Sequence, residues 1–301
     1  MSRKGYTIVY LIWDAISSSA AWMLFFLFRT LRQEGKSYEQ AINDPNLIKG
    51  LIIVPLFWLF VYATYGMYKD VLRKSRLKEF GQILFLSVIG SLLLFFALIL
   101  DDQVASYMNY YRSFFTLFGL QFVCNAIGRF FISTWIGNKI KHRKLGFPTL
   151  LIGSDEKALA LFEELEGSKA SEGYMFKGYV PVYEQSSDLI QTKLTKLGSQ
   201  EELPQILEEN GNEEVLIAIE SSEHEELNQI VDVLSGTGVI MKVIPDTYDI
   251  LSGSVRLSNI MGALLIQISP YLMPEWQKSI KRAMDIILSI VALILCFPVM
   301  L

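Results

Sequence analysis

The chain has 301 residues and a formal net charge of −4, a length that permits two domains. Its 51% hydrophobic content, 19% charged content and mean hydropathy of +0.34 exclude an ordinary soluble pair. Bases cluster at the edges of apolar runs while acids collect between Asp155 and Glu226, a distribution that argues against nucleic-acid binding.

Four apolar stretches reach spanning length, about 20 residues each. They are Ile8 to Phe28, interrupted by Asp14; Ile48 to Tyr68, containing Pro55; Phe80 to Leu100; and Ser113 to Gly137. Short polar connectors between them favour membrane spans over buried helices of a large soluble protein. Arg3, Lys4, Lys69, Arg73, Lys74, Arg76, Lys78, Lys139, Lys141, Arg143 and Lys144 lie on one set of sides, eleven bases in all. The opposite loops hold five, namely Arg29, Arg32, Lys36, Lys49 and Arg112. This bias predicts that both the N-terminus and the segment after the fourth run are cytoplasmic. The first run is too long for a cleaved leader and lacks its small-residue cleavage pattern, so it is expected to stay. Asp14, well inside a span, is expected to face another helix or to sit near the boundary rather than to carry protons. Four helices with so little internal charge make a poor transporter.

Cys124 and Cys296 lie in separate apolar runs without a Cys or His at metal-ligand spacing, so each reads as a small apolar side chain. From Gly146 the composition changes. Phe147 to Gly153 reads as a buried strand, and Ala158 to Leu165 as a helix capped by Ser154 or Asp155. Tyr174 to Tyr183 is a second strand region and Leu203 to Glu209 a short helix. Glu214 to Ile219 is a parallel-type strand, His224 to Ser235 a helix, and Gly238 to Pro245 a further strand. This alternation predicts a layered α/β domain.

The first turn offers Gly153 without the further glycines of a dinucleotide fingerprint. Asp155 and Glu156 there would repel phosphate, so a structural or regulatory role is expected over nucleotide binding, although a helix N-terminus can take an anion. His224 reads as a cap or surface residue, and His142 as part of an interfacial basic patch. No catalytic triad or metal cluster can be assembled from two histidines, and no catalytic, cofactor or metal residue is expected in this chain.

Asp246 to Arg256 reads as a polar connector, and Ile260 to Ile268 as a last strand or edge segment. Ser269-Pro270 and Met273-Pro274-Glu275-Trp276 mark a boundary, with Trp276 suited to an interface. Gln277 to Arg282 approaches the bilayer, and Lys281, Arg282 and Asp285 stand where an apolar run, Ile286 to Leu301, begins. That run would span about 24 Å as a helix, and Pro298 breaks it. It is expected to be a truncated span or one limb of a re-entrant turn.

Lys281, Arg282, Asp285, Ser289 and Pro298 resemble the opening of the catalytic domain in bacterial sugar transferases. These are the polytopic polyprenyl-phosphate hexose-1-phosphate transferases that start exopolysaccharide or O-antigen synthesis. Ile244 to Arg256 and Pro274-Glu275-Trp276 also resemble that family, and the resemblance covers essentially the whole chain. It implies a multi-domain membrane protein: a four-helix transmembrane domain (1–145), a cytoplasmic Rossmann-like α/β domain (146–268), and a linker with the start of a re-entrant membrane helix (269–301).

The implied reaction moves hexose-1-phosphate from a UDP-sugar to undecaprenyl phosphate, releasing UMP, with Mg2+ assisting the complete enzyme. An Asp-Glu pair in the family's later catalytic region carries that chemistry. The 301-residue chain lacks a match to that region and is expected to show no transferase activity alone. Lys281 and Arg282 are expected to meet lipid or lipid-phosphate headgroups. Asp285 is expected to belong to the start of the helix rather than to catalysis. Expected partners are inner-membrane lipids, a second copy or polysaccharide assembly proteins, with a non-catalytic scaffold or regulator as the alternative role. The expected location is the bacterial inner membrane.

Overall fold

The computed structural model describes residues 3–32, 35–98, 107–168, 171–182, 189–219, 224–244 and 265–268, with single positions at 277, 281, 282, 284, 285 and 289. The described residues form two compact units, one running to Gly137 and including the single positions from 277 onward, and one within Asn138–Leu272.

The first unit is built on four long helices, each long and apolar enough to cross a membrane: α1 (Arg3–Arg32), α3 (Pro45–Thr64), α4 (Arg76–Leu98) and α5 (Tyr107–Lys141). A short α2 (Tyr38–Ile42), invisible as periodicity, is fixed by a capping box between Ser37 and Gln40. Pro45 opens α3 at its first turn behind the Asp44 cap, where the missing amide costs nothing. Pro55 lies inside α3 without ending it.

Helix bounds differ from expectation in all four runs, the first extending over Arg3–Arg32. The second run was expected to reach Tyr68, but α3 stops at Thr64 because the chain turns at Gly66, φ +81°. The third helix starts four residues before Phe80, at Arg76. The fourth, expected over 113–137, runs for 35 residues, about 52 Å, well beyond a hydrocarbon core of about 30 Å.

Indole rings seated on glycines join the helices. Trp13 of α1 lies over Gly128 of α5, where an added Cβ would come within 1.7 Å of the ring. Trp22 of α1 covers Gly50 of α3, and Trp58 of α3 covers Gly90 of α4, with corresponding distances of 2.0 and 2.4 Å. These seats, with Phe25, Tyr62, Leu86 and Leu117 buried around them, form the core of the unit. Large apolar side chains such as Phe60, Phe96, Phe115 and Phe131 face outward, as lipid-facing surfaces do.

The second unit is a five-stranded sheet in the order β2-β1-β3-β4-β5, comprising β1 (Phe147–Ile152), β2 (Tyr174–Val180), β3 (Glu214–Ile217), β4 (Ile240–Val243) and β5 (Ile266–Ile268). β1, β2, β3 and β4 run parallel to one another, and β5 joins β4 antiparallel. Helix α6 (Glu156–Gly167) packs on one face, through Leu161 and Leu165 against Leu151 and Leu216. Helices α7 (Leu203–Asn210) and α8 (His224–Leu234) cover the other, against Leu150, Ile152, Val215 and Met241. The expected strands and helices are all present with shifted ends, since short apolar runs and helical spacing are local signals. Of the expected last strand, 265–268 is described and 260–264 lies outside the described residues.

Candidate functional site

Helix α5 reverses the usual polarity of a helix face. Gln121, Asn125, Arg129 and Ser133, four residues apart, form one stripe, and all four are buried against the other helices. In α1, Asp14, Ser17 and Ser18 share the buried face with Trp22 and Phe25. These stripes bring polar groups together in the buried interior of the bundle, where a partner offsets the cost of leaving water.

Asp14 is fully buried and accepts from several directions. Arg129 donates Nε to Oδ1 at 2.8 Å and Nη2 to Oδ2 at 2.6 Å. Asn125 Nδ2 donates to Oδ1 at 2.9 Å, and the Tyr68 hydroxyl to Oδ2 at 2.7 Å. The other arm of the guanidinium, Nη1, donates to Glu79 Oε1 of α4 at 2.9 Å. Its carbon also lies 5.1 Å and 5.2 Å from the ring centres of Tyr10 and Tyr62, within cation–π range. Farther along the stripe, Gln121 Nε2 donates to Ser18 Oγ and to the Tyr62 hydroxyl.

Of the two placements expected for Asp14, the structure shows the first, since it faces another helix, α5. Glu79 and Arg129 are the partners that sequence reading missed, although the four-residue spacing from Gln121 to Ser133 was a usable signal. Chemically the cluster is a lock. Two carboxylates and a guanidinium saturate one another, and a buried pair of this kind specifies which helices meet more than it stabilises them.

A second ion pair lies in the sheet. Lys242 of β4 donates to Glu214 Oε2 of β3 at 2.9 Å and to the Tyr174 hydroxyl of β2 at 3.0 Å. Burial is the main cause that raises the nearby Glu172 carboxyl above its ordinary range, opposed by the Lys242 charge.

The strand order reverses direction between β1 and β3, the position where open parallel sheets form a crevice at their carboxyl ends. Gly153 follows β1 at φ +127°, and an added Cβ would fall 2.3 Å from the Ala218 carbonyl oxygen beyond β3. Asp155, rather than Ser154, caps α6, its Oδ1 accepting from the Ala158 amide at 3.0 Å. Glu156 adds a second acid to the first turn.

The remaining residues singled out in the sequence are placed as follows. His142 is exposed, with Nδ1 2.7 Å from the Asn138 carbonyl oxygen, and His224 is the first residue of α8. Cys124 is a half-buried free thiol, and Cys296 lies outside the described residues. Lys281, Arg282 and Asp285 are helical and exposed, and the Ser289 hydroxyl donates to the Asp285 carbonyl at 2.6 Å. Pro298, the 246–256 connector and Trp276 lie outside the described residues. Among the described residues no group of three or more His, Cys, Asp or Glu side chains could hold a metal ion.

A family described as a CoA-binding domain matches residues 63–245. That stretch runs from the end of α3 to just past β4, so one family unit takes in two of the long helices and four of the five strands. No curated protein matches the chain. Among solved structures, UDP-D-quinovosamine 4-dehydrogenase from Vibrio fischeri is similar at 16% identity, over 41% of this chain and 94% of that one, with a TM-score of 0.31. The β1–α6 turn does not fit the phosphates of CoA. A carboxylate already occupies the helix N-terminus, a second stands beside it, and the open side of Gly153 is filled by the Ala218 carbonyl.

Proposed function

The chain belongs to the CoA-binding domain family, and from that premise we propose that it is a membrane sugar-transferase homologue of exopolysaccharide or O-antigen assembly. The observation that carries this reading is the span of the family match, which joins helices of membrane-crossing length to an α/β sheet in one unit. The basic pair Lys281-Arg282, with Asp285 and Ser289 following in the sequence, adds the pattern with which such a transferase domain opens.

In this reading the chain sits in the bacterial inner membrane with its N-terminus and its sheet on the cytoplasmic side, as the Lys and Arg distribution favours. The reaction of the sugar transferases that the sequence resembles transfers hexose-1-phosphate from a UDP-sugar to undecaprenyl phosphate: a new phosphoanhydride bond to the lipid forms as the sugar diphosphate bond breaks, and UMP leaves. Mg2+ would supply charge neutralisation at the phosphoryl oxygens of the complete enzyme. The role of the described residues is anchorage and positioning, with Lys281 and Arg282 meeting anionic headgroups.

A scaffold role is the second reading. It is favoured by the use to which the described carboxylates are put, since Asp14, Glu79 and Asp155 are consumed by an ion lock and a helix cap.

The deciding experiment supplies UDP-hexose and undecaprenyl phosphate to membranes carrying the full chain. Release of UMP with formation of a lipid-linked sugar, above membranes without the chain and abolished by chelation, supports the transferase and overturns the expectation that this chain alone is inactive. Background release is the result expected of this chain alone, and specific capture of polysaccharide assembly proteins alongside it supports the scaffold.

A further inference from the structure

The connection between α3 and α4, Tyr65 to Ser75, does not hang free as a loop. Met67, Val71 and Leu72 are buried, at 1%, 6% and 8% exposure, in a stretch that also carries Lys69, Asp70, Arg73 and Lys74. The backbone folds on itself, with the Met67 amide donating to the Tyr62 carbonyl at 2.9 Å and the Arg73 amide to Asp70 at 2.9 Å. Turns at Gly66 and Asp70, both at positive φ, let it do so. The Lys74 ammonium donates to the Met67 carbonyl and draws the two ends of the stretch together. At its far end, Ser75 Oγ accepts from the Lys78 amide and starts α4. The Tyr68 hydroxyl, from the middle of this segment, reaches the buried Asp14 carboxylate at 2.7 Å, and its ring lies 5.8 Å from the Arg129 guanidinium.

We propose that residues 65–75 form a strap that closes one end of the helix bundle over the Asp14–Arg129–Glu79 cluster, with Tyr68 as its catch. The apolar side chains of the strap keep water from the cluster, and the phenol satisfies the one Asp14 direction that faces the strap. A hydrogen bond to a charged acceptor is among the stronger neutral-donor contacts, so the catch ties the segment directly to the cluster. With the strap lifted, the arginine and two carboxylates would stand open to water at the bundle end. This inference is independent of the transferase reading.

The test places a reporter thiol beside the cluster. Ser17, whose hydroxyl lies 3.3 Å from Asn125 Nδ2, is replaced by Cys in the full chain, with Cys124 and Cys296 changed to Ser. The rate of modification by a charged methanethiosulfonate reagent is read at fixed pH. The parent reacts slowly, and Tyr68→Phe speeds the reaction about tenfold or more, the weight of a hydrogen bond to a charged group. Tyr62→Phe, whose hydroxyl pairs with Gln121 rather than Asp14, leaves the rate unchanged. If Tyr68→Phe does not yield a single folded species, Lys74→Met is read instead and is expected to speed the reaction. A parent rate equal to that of an exposed thiol at Lys4→Cys, or an unchanged rate in the folded strap variant, overturns the strap.

Discussion

Arg129 and Asp14 meet side-on, through two parallel hydrogen bonds of 2.8 and 2.6 Å, with neither side chain exposed. This fork geometry needs a planar guanidinium, because the compact ammonium of lysine cannot serve both oxygens at once. Glu79 takes the remaining arm, so one cation ties three helices.

Breaking this arrangement from one side should be severe. Arg129→Met leaves two buried carboxylates facing each other and is expected to lower stability by about 3–5 kcal/mol. Removing the whole set, with Asp14→Leu, Glu79→Gln and Arg129→Met together, should recover most of that loss. Thermal unfolding of the purified chain in one detergent compares the variants. A triple variant as unstable as the single would mean that the ion cluster contributes net stability rather than specificity.

The indole seats separate glycines that look alike in sequence. Gly128→Ala drives a methyl into the Trp13 ring and should cost about 1–3 kcal/mol, the usual penalty of overpacking. Gly119→Ala, on the same helix with nothing within 4 Å, should be neutral or stabilise by up to about 1 kcal/mol. Melting temperatures of the two variants provide the comparison, and equal shifts would argue against the Trp13 seat.

Stability should rise with pH in the mildly alkaline range. Burial, aided by the Arg129 charge, pushes Lys74 down from 10.5 to about 8, against the pull of Glu79 and Asp14. Between these values the unfolded chain binds the proton and the folded chain does not, so unfolding is increasingly disfavoured as pH rises from about 8 to 10.5. Burial and the neighbouring Asp14 move the Tyr68 phenol the other way, so stability falls above its ordinary 10.0, where only the unfolded phenol ionises. Denaturation followed from pH 7 to 11 should show a maximum, and Lys74→Met should remove the rising limb alone.

At the sheet, Asp155→Ala should cost about 1 kcal/mol through loss of the α6 cap, while Asp155→Asn should be nearly silent. Calorimetric titration of CoA into the full chain is expected to give no saturable heat that depends on this turn. Tight binding enhanced by Asp155→Asn would reverse that reading.

The layered second unit was legible because its signals are local: short apolar runs at β1 and β3, and Asp155 three residues before the amide that it caps. The long helices were legible for the same reason. The site was only half so. Asp14 stands out in an apolar run, but nothing near it in sequence names Arg129 or Glu79. Their pairing is a tertiary fact, 115 and 50 positions across the chain from one to the next. The strap was misread because Tyr65 to Tyr68 continues an apolar run, and composition does not distinguish a last helical turn from a segment folded back under it.

The 115-residue gap between Asp14 and Arg129 also sets a clock. A chain made at about 5–20 residues per second presents Asp14 roughly 6–23 s before its guanidinium exists. Tyr68 arrives sooner, 54 positions after Asp14, whereas Asn125 comes almost with Arg129. During synthesis the phenol is thus the first donor that the carboxylate can meet, and the bundle cannot close until its last helix is delivered. Nascent chains halted before Arg129 should therefore be held open, and vulnerable, in a way that finished chains are not.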